Sequence, residues 1–238
     1  MPIKLTDTVK KLIFIYIGVF IIQQGLDQFA GAHVRSWLAL IPAYVLQGRI
    51  WQIFTYSFLH ADVSHLLLNL LVFAFVASDL EAIWGRKKFL TFYFYCTTMA
   101  GLFYLVIQLL MNNPLYMSIP MVGASGGIYG VLLAYGILFP DREMLFMMLF
   151  PMKAKQFVWL LAGVEFLQAV FSGQGGLGAF AHLSGMGAGF IYLWLQAKGM
   201  RIRKENALKK SRPTKKGAAH LRLVKRDDDD EPPPRTWH

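Results

Sequence analysis

Apolar residues fall in six long runs separated by short polar or charged breaks, at 11–26, 63–83, 88–111, 125–140, 145–171 and 178–197. A helix needs about 20 mainly apolar residues to cross bilayer hydrocarbon, so the pattern predicts an all-α membrane protein with six transmembrane helices. Two runs are irregular. The first has a short core, LIFIYIGVFII, after Lys10 and Lys11 and before Gln23 and Gln24. With Ala30-Gly31-Ala32 behind it, a cleaved signal peptide is the alternative reading. The fifth run is broken by Pro151, Lys153 and Lys155, which predicts a span over 156–171 behind a connection, 141–155, holding a short interfacial segment. Residues 27–62 carry Trp37, Leu38, Ile41, Tyr44, Trp51, Phe54 and Phe58 between polar positions. Too interrupted to span and too apolar for water, this segment is expected in the outer interface.

Charge supplies the orientation. The 238 residues are 55% apolar or aromatic and 16% charged, against about 25% charged in ordinary soluble domains. Residues 1–197 hold 11 Lys/Arg and 8 Asp/Glu, while 198–238 hold 13 and 6, so most of the net +10 sits in the tail. A basic tail behind an apolar body argues for the bilayer, and against nucleic acid, as the partner. Lys4, Lys10 and Lys11, then Arg86 to Lys88, then Arg142, Lys153 and Lys155 occupy alternate connections. The positive-inside rule places both termini in the cytoplasm. Two regions are expected: a six-span membrane domain at 1–197, and at 198–238 a basic, then acidic, disordered cytoplasmic tail ending in Asp227 to Glu231 and a proline run. Cys96 is the single cysteine, which excludes an intrachain disulfide and a Cys-rich metal site.

Polar side chains inside spans are costly and mark function by default. With the N-terminus inside, the second, fourth and sixth spans all enter from the outer side. Asn69, Ser125 and His182 then lie one or two turns into those three spans, roughly 5–10 Å below the surface. Gly126, Gly130 and Ala134 in the fourth span, and Ala181, Gly185 and Gly189 in the sixth, repeat every four residues. Such small-residue edges let two helix backbones approach closely; packing around a buried histidine explains the glycines equally well. A serine hydroxyl becomes a nucleophile when a histidine accepts its proton. Gly123 and Gly126 beside Ser125 leave room for a substrate, and a helix N-terminus offers free backbone N–H groups to an oxyanion. His65 and Asn69 share a helix face and add side-chain donors, and Tyr129, one turn below Ser125, is placed to pack on the imidazole. His60 and His65, five apart, would not share a face on a helix, which disfavours a metal pair. Glu165 is read as a buried carboxyl bonded to a neighbouring helix rather than a transport site. Asp79 and Glu81 are read as ion-pair partners of Arg86 and Lys87.

The combination of GASG at 123–126 with Tyr129, AHLSGMGAG at 181–189 and HADVSHLLLN at 60–69 resembles the rhomboid family of intramembrane serine proteases. The resemblance runs from about residue 11 to 197. It implies a six-helix bundle whose fourth helix is central, with Ser125 as nucleophile and His182 as general base. It also implies an oxyanion site formed by His65, Asn69 and the Ser125 N–H. Leu80, Glu81, Trp84 and Gly85 fit the family's pattern too. One departure is Trp51-Gln52 where the family has Trp-Arg; Arg49 is the candidate substitute.

The implied activity is a serine endopeptidase that cuts single-span membrane proteins near the outer side of a cell membrane, through an acyl-enzyme and without a cofactor. A glycine-rich connection at 172–178 is expected to move with the fifth helix to admit substrate. The alternative is a non-catalytic rhomboid-like protein that binds membrane helices. A small transporter would show repeats or broken helices, and none is evident. His-Glu-x-x-His is absent, as is an intramembrane aspartate pair.

Overall fold

The computed structural model describes residues 4–111, 113–146, 150–172 and 176–211. They form two compact units, one ending at Leu195 and one beginning at Gln196.

The first unit is a helical bundle. Helix α1 (Asp7–Phe29) leads into a first connection of three short helices, α2 (Val34–Leu38), α3 (Pro42–Leu46) and α4 (Gln52–Thr55), and a 3₁₀ turn at Tyr56–Phe58. Then come α5 (Val63–Trp84), α6 (Arg86–Met111), a short α7 (Pro114–Met117) and α8 (Ser125–Leu138). Strands β1 (Glu143–Phe146) and β2 (Phe150–Lys153) pair antiparallel, with Glu143 opposite Lys153, before α9 (Ala154–Phe171) and α10 (Gly176–Ser211).

Four of these helices, α1, α5, α6 and α9, are long and apolar enough to cross a membrane. The fourth expected span falls on α8, which has 14 residues, too few to cross alone. The sixth falls within α10, whose apolar stretch is diluted by His182, Ser184 and several glycines. Two further expectations need correction. The 141–155 connection carries the paired strands β1 and β2, so the bundle is not purely helical. Residues 198–211, expected to be irregular, are helical in the second unit and carry an Arg201–Glu205 pair at 3.0 Å. The remainder of the tail and part of the 172–178 connection, residues 173–175, lie outside the described residues.

Burial ranks the helices. Nine of the 14 residues of α8 are buried, whereas α9 buries Ala154, Val158 and Glu165 alone among its 18. Helix α8 is therefore central and α9 peripheral. Small residues explain the central position, because α8 packs backbone-close on two sides. A Cβ on Gly130 would stand 2.6 Å from Cys96 Sγ of α6 and 3.0 Å from the Gly185 carbonyl of α10.

Polar groups fix the ends. Gly85, at φ 74°, closes α5 by donating its N–H to the Glu81 carbonyl at 2.8 Å, and α6 starts at the next residue. Positive φ is open to glycine at little cost. Asp79 and Glu81 do not pair with Arg86 and Lys87. Asp79 instead meets Arg142, from the connection after α8, at 3.2 Å, and Glu81 accepts from the Thr6 hydroxyl. Both carboxylates thus tie α5 to chain segments remote in sequence.

The first connection is organised by Gln52, which is fully buried. Its Oε1 accepts from the Ile41 N–H at 3.1 Å, and its Nε2 donates to the Ser36 and Trp37 carbonyls at 3.0 and 3.2 Å. Arg49 donates to the same Ser36 carbonyl at 3.0 Å and lies over the rings of Trp37 and Tyr44, at 4.6 and 4.3 Å from their centroids. Gln52 and Arg49 together hold the loop. Trp37, Leu46, Ile50, Trp51 and Phe54 stay exposed, an apolar surface suited to an interface with lipid.

Candidate active site

Ser125 is the first residue of α8. At this end of a helix the leading N–H groups have no intrahelical acceptor and point outward. Gly123, two residues earlier, has φ 121°, a conformation L side chains rarely adopt. A Cβ there would also stand 2.8 Å from His65 Cε1, 2.9 Å from His65 Nε2 and 3.6 Å from Ser125 Oγ. The space left by the missing side chain is therefore flanked by the His65 ring and the serine hydroxyl. These groups line a cavity of about 180 Å³ together with Tyr56, Met121, Gly126 and His182.

His182, in the second turn of α10, reaches the same cavity. Its Nε2 lies 2.7 Å from Ser125 Oγ, the length of a good hydrogen bond. The ring stacks on Tyr129 with centroids 4.3 Å apart and planes 5° from parallel. This approach depends on glycine. A Cβ on Gly185 would fall inside the contact radius of the Gly126 carbonyl, and one on Gly189 would stand 3.2 Å from the Gly130 oxygen. Gly185 and Gly189 thus set the distance between the two helices, whereas Gly126 lets α8 approach Ala100 of α6.

His65 is positioned by the cap of α5. Asp62 accepts from the His65 N–H at 2.8 Å and from the Ser64 hydroxyl at 2.5 Å. These two donors, the hydroxyl first, hold the Asp62 carboxyl below its usual range. His65 Nδ1 faces the Ala61 N–H at 3.4 Å, which leaves Nε2 as the protonated nitrogen on the cavity side. Asn69 is buried one turn further on. Its amide donates to the His65 carbonyl at 2.9 Å, and it does not line the cavity.

His60 and His65 do meet, contrary to the helical expectation, because His60 precedes α5 in an extended segment. Their rings stand edge-on at 5.2 Å. The His60 backbone is clamped at both polar groups by Gln23 of α1, at 3.1 and 3.2 Å. Burial, reinforced by the neighbouring His65, pushes the His60 imidazole down to about 4.

Glu165 supplies the contact that sequence reasoning missed. Its Oε2 lies 3.0 Å from His182 Nδ1, and its Oε1 accepts from the Tyr129 hydroxyl. A signal for this was present. Glu165 lies six residues before the end of α9 and His182 six after the start of α10. Two helices joined by a short connection place such positions at one depth.

Comparisons with known proteins bear on the family of the chain. Residues 47–199 match the Rhomboid domain of the rhomboid family. The chain is 27% identical over 202 residues to Rhomboid protein 1, mitochondrial, of Saccharomyces cerevisiae, covering 84% of this chain and 57% of that protein. It is 30% identical over 122 residues to Rhomboid-related protein 3 of Homo sapiens, covering 51% of this chain and 28% of that protein. With Rhomboid protease GlpG of Haemophilus influenzae it shares 28% identity over 165 residues, 68% of this chain and 78% of that protein. The chain thus spans 57% or less of the first two relatives and most of the third. A domain match over more than half of the residues, carried by a helical bundle with four membrane-length helices, places this chain in the rhomboid family.

Proposed function

We propose that this protein is an intramembrane serine endopeptidase that cuts single-span membrane proteins. The observation that carries the reading is the 2.7 Å contact between Ser125 Oγ and His182 Nε2 at the wall of a cavity of about 180 Å³. In this reading Oγ attacks the scissile carbonyl carbon while Nε2 takes its proton. The tetrahedral oxyanion is met by the Ser125 N–H and His65 Nε2–H, with Asn69 holding the His65 backbone. His182 then returns the proton to the leaving amine, and water repeats the sequence on the acyl-enzyme. Tyr129 keeps the imidazole in plane between these steps.

The same reading counts α8 and the apolar part of α10 as the fourth and sixth spans beside the four long helices. It puts both termini in the cytoplasm and opens the cavity toward the outer face of a cell membrane. Lys10, Lys87, Lys153 and Lys155 support that orientation, since they cluster at the opposite helix ends.

The test is cleavage of a single-span reporter in proteoliposomes by wild type, Ser125→Ala and His182→Ala. Cleavage by wild type alone is expected, together with fluorophosphonate labelling that Ser125→Ala abolishes. Equal cleavage by all three refutes the site. A wild type that neither cuts nor labels refutes the protease reading in favour of a membrane-helix binder.

A further inference from the structure

Resting on the protease reading, we propose that Glu165 is a positioning residue for His182, so that the site works as a Ser125–His182–Glu165 relay with its carboxylate on α9.

The His182 ring is held at three places by three kinds of contact. Its face stacks on Tyr129, its Nε2 meets Ser125, and its Nδ1 lies 3.0 Å from Glu165 Oε2. Nδ1 and Oε2 are both buried; they stand 3.0 Å apart without an aligned hydrogen bond, and neither hydrogen-bonds to any other group. The carboxylate is itself anchored by the Tyr129 hydroxyl on Oε1. Tyr129 therefore fixes both members of the pair, one through its ring and one through its oxygen. The groups facing His182 are Ser125 and Tyr129 from α8, Glu165 from α9 and the His65 imidazole from α5.

Tautomer choice follows from this geometry. A carboxylate only accepts hydrogen bonds. Were the imidazole proton on Nε2, two lone pairs would face each other across 3.0 Å in a buried space. With the proton on Nδ1 the pair attracts, and Nε2 presents its lone pair to the serine hydroxyl. When Nε2 takes the Ser125 proton the ring becomes cationic, and the carboxylate 3.0 Å away stabilises it. The Nδ1 proton stays on the ring throughout, so the carboxylate is neither protonated nor consumed. The Nδ1–H lies off the line to Oε2, an alignment that catalytic contacts tighten when substrate binds.

The test compares Glu165→Gln and Glu165→Asp with wild type in proteoliposomes. Glutamine keeps the shape but can donate to Nδ1, which selects the wrong tautomer. Expected for Glu165→Gln is a kcat fall of about 10²- to 10⁴-fold, with KM within threefold and an unchanged thermal midpoint. Partial recovery is expected in Glu165→Asp. The ¹⁵N spectrum of histidine-labelled protein, assigned by difference from His182→Ala, is expected to show protonated Nδ1 and bare Nε2 in wild type and the reverse in Glu165→Gln. Unchanged kcat, or an unchanged tautomer, overturns the proposal. Loss of activity in parallel with a lower thermal midpoint, without recovery in the aspartate variant, also overturns it in favour of a packing role. Failure of the protease reading is distinct, because wild type itself would then fail to label with fluorophosphonate.

Discussion

Gly185→Ala isolates the helix spacing from the chemistry. The added Cβ would overlap the Gly126 carbonyl oxygen and stand 2.8 Å from its carbon. Carbon atoms rest at roughly 3.5–4.0 Å, so α10 must retreat from α8 by about 1 Å. Both atoms of the polar contact ride on that spacing: Ser125 precedes Gly126, and His182 sits one turn before Gly185. A 2.7 Å contact opened by that much passes beyond hydrogen-bond range. Displacement of about 1 Å costs on the order of 10²-fold in rate, and overpacking a tight interface costs about 1–3 kcal/mol. Gly187→Ala is the matched control, since a Cβ there meets nothing within 4 Å. Reporter cleavage and fluorophosphonate labelling in proteoliposomes should fall by about 10²-fold in the first variant and stay within twofold in the second. Equal activity in the two variants would refute the claim that glycine sets this distance.

Two further perturbations test the surroundings of the site. His60 sits near 4 when folded and about 6.5 when unfolded, so the unfolded chain binds more protons between those values and stability falls as pH drops through that window, by about 3 kcal/mol in all. Thermal midpoints in detergent from pH 7.5 to 4.5 should show the decline, and His60→Phe should flatten it; an unchanged slope would count against a buried neutral imidazole. Gln52→Ala strands the buried Ile41 N–H, while the Ser36 and Trp37 carbonyls keep Arg49 and Trp51 as donors, at roughly 1–3 kcal/mol for the group left unpaired. Limited proteolysis should then cut within residues 33–58 faster than in wild type, and equal protection would refute Gln52 as the organiser of that loop.

What could be read from the sequence depended on whether partners lay on one helix or on different ones. Ser125 with Tyr129, and His182 with Gly185 and Gly189, are fixed by spacing along single helices, and the structure brings them together. Arg49 was named from its nearness to Trp51 alone, and it does hold the loop. The errors concern partners on other elements. Nearness in sequence pairs Asp79 with Arg86 and Lys87, but Arg142 reaches it from another connection. Glu165 was correctly expected to bond a neighbouring helix, yet which helix is decided by packing that single-helix periodicity does not encode. The strand pair was missed because Pro151 and the lysines mark a break without saying what fills it.

The length of α8 has a consequence for where a peptide could be cut. Fourteen residues rise about 21 Å, against roughly 30 Å of hydrocarbon. The shortfall is made up by irregular backbone at 119–124, whose polar groups must be shielded from lipid. The first connection does this: the Leu40 N–H donates to the Met121 carbonyl at 3.0 Å and the Met121 N–H to the Leu40 carbonyl at 2.9 Å, and the Gly123 N–H donates to the Tyr56 carbonyl at 3.1 Å. In the proposed orientation, α8 then acts as a ruler standing on the inner leaflet, and its top mark is Ser125. One added turn would raise that mark by about 5.4 Å and shift the plane of cleavage along the substrate helix by the same height.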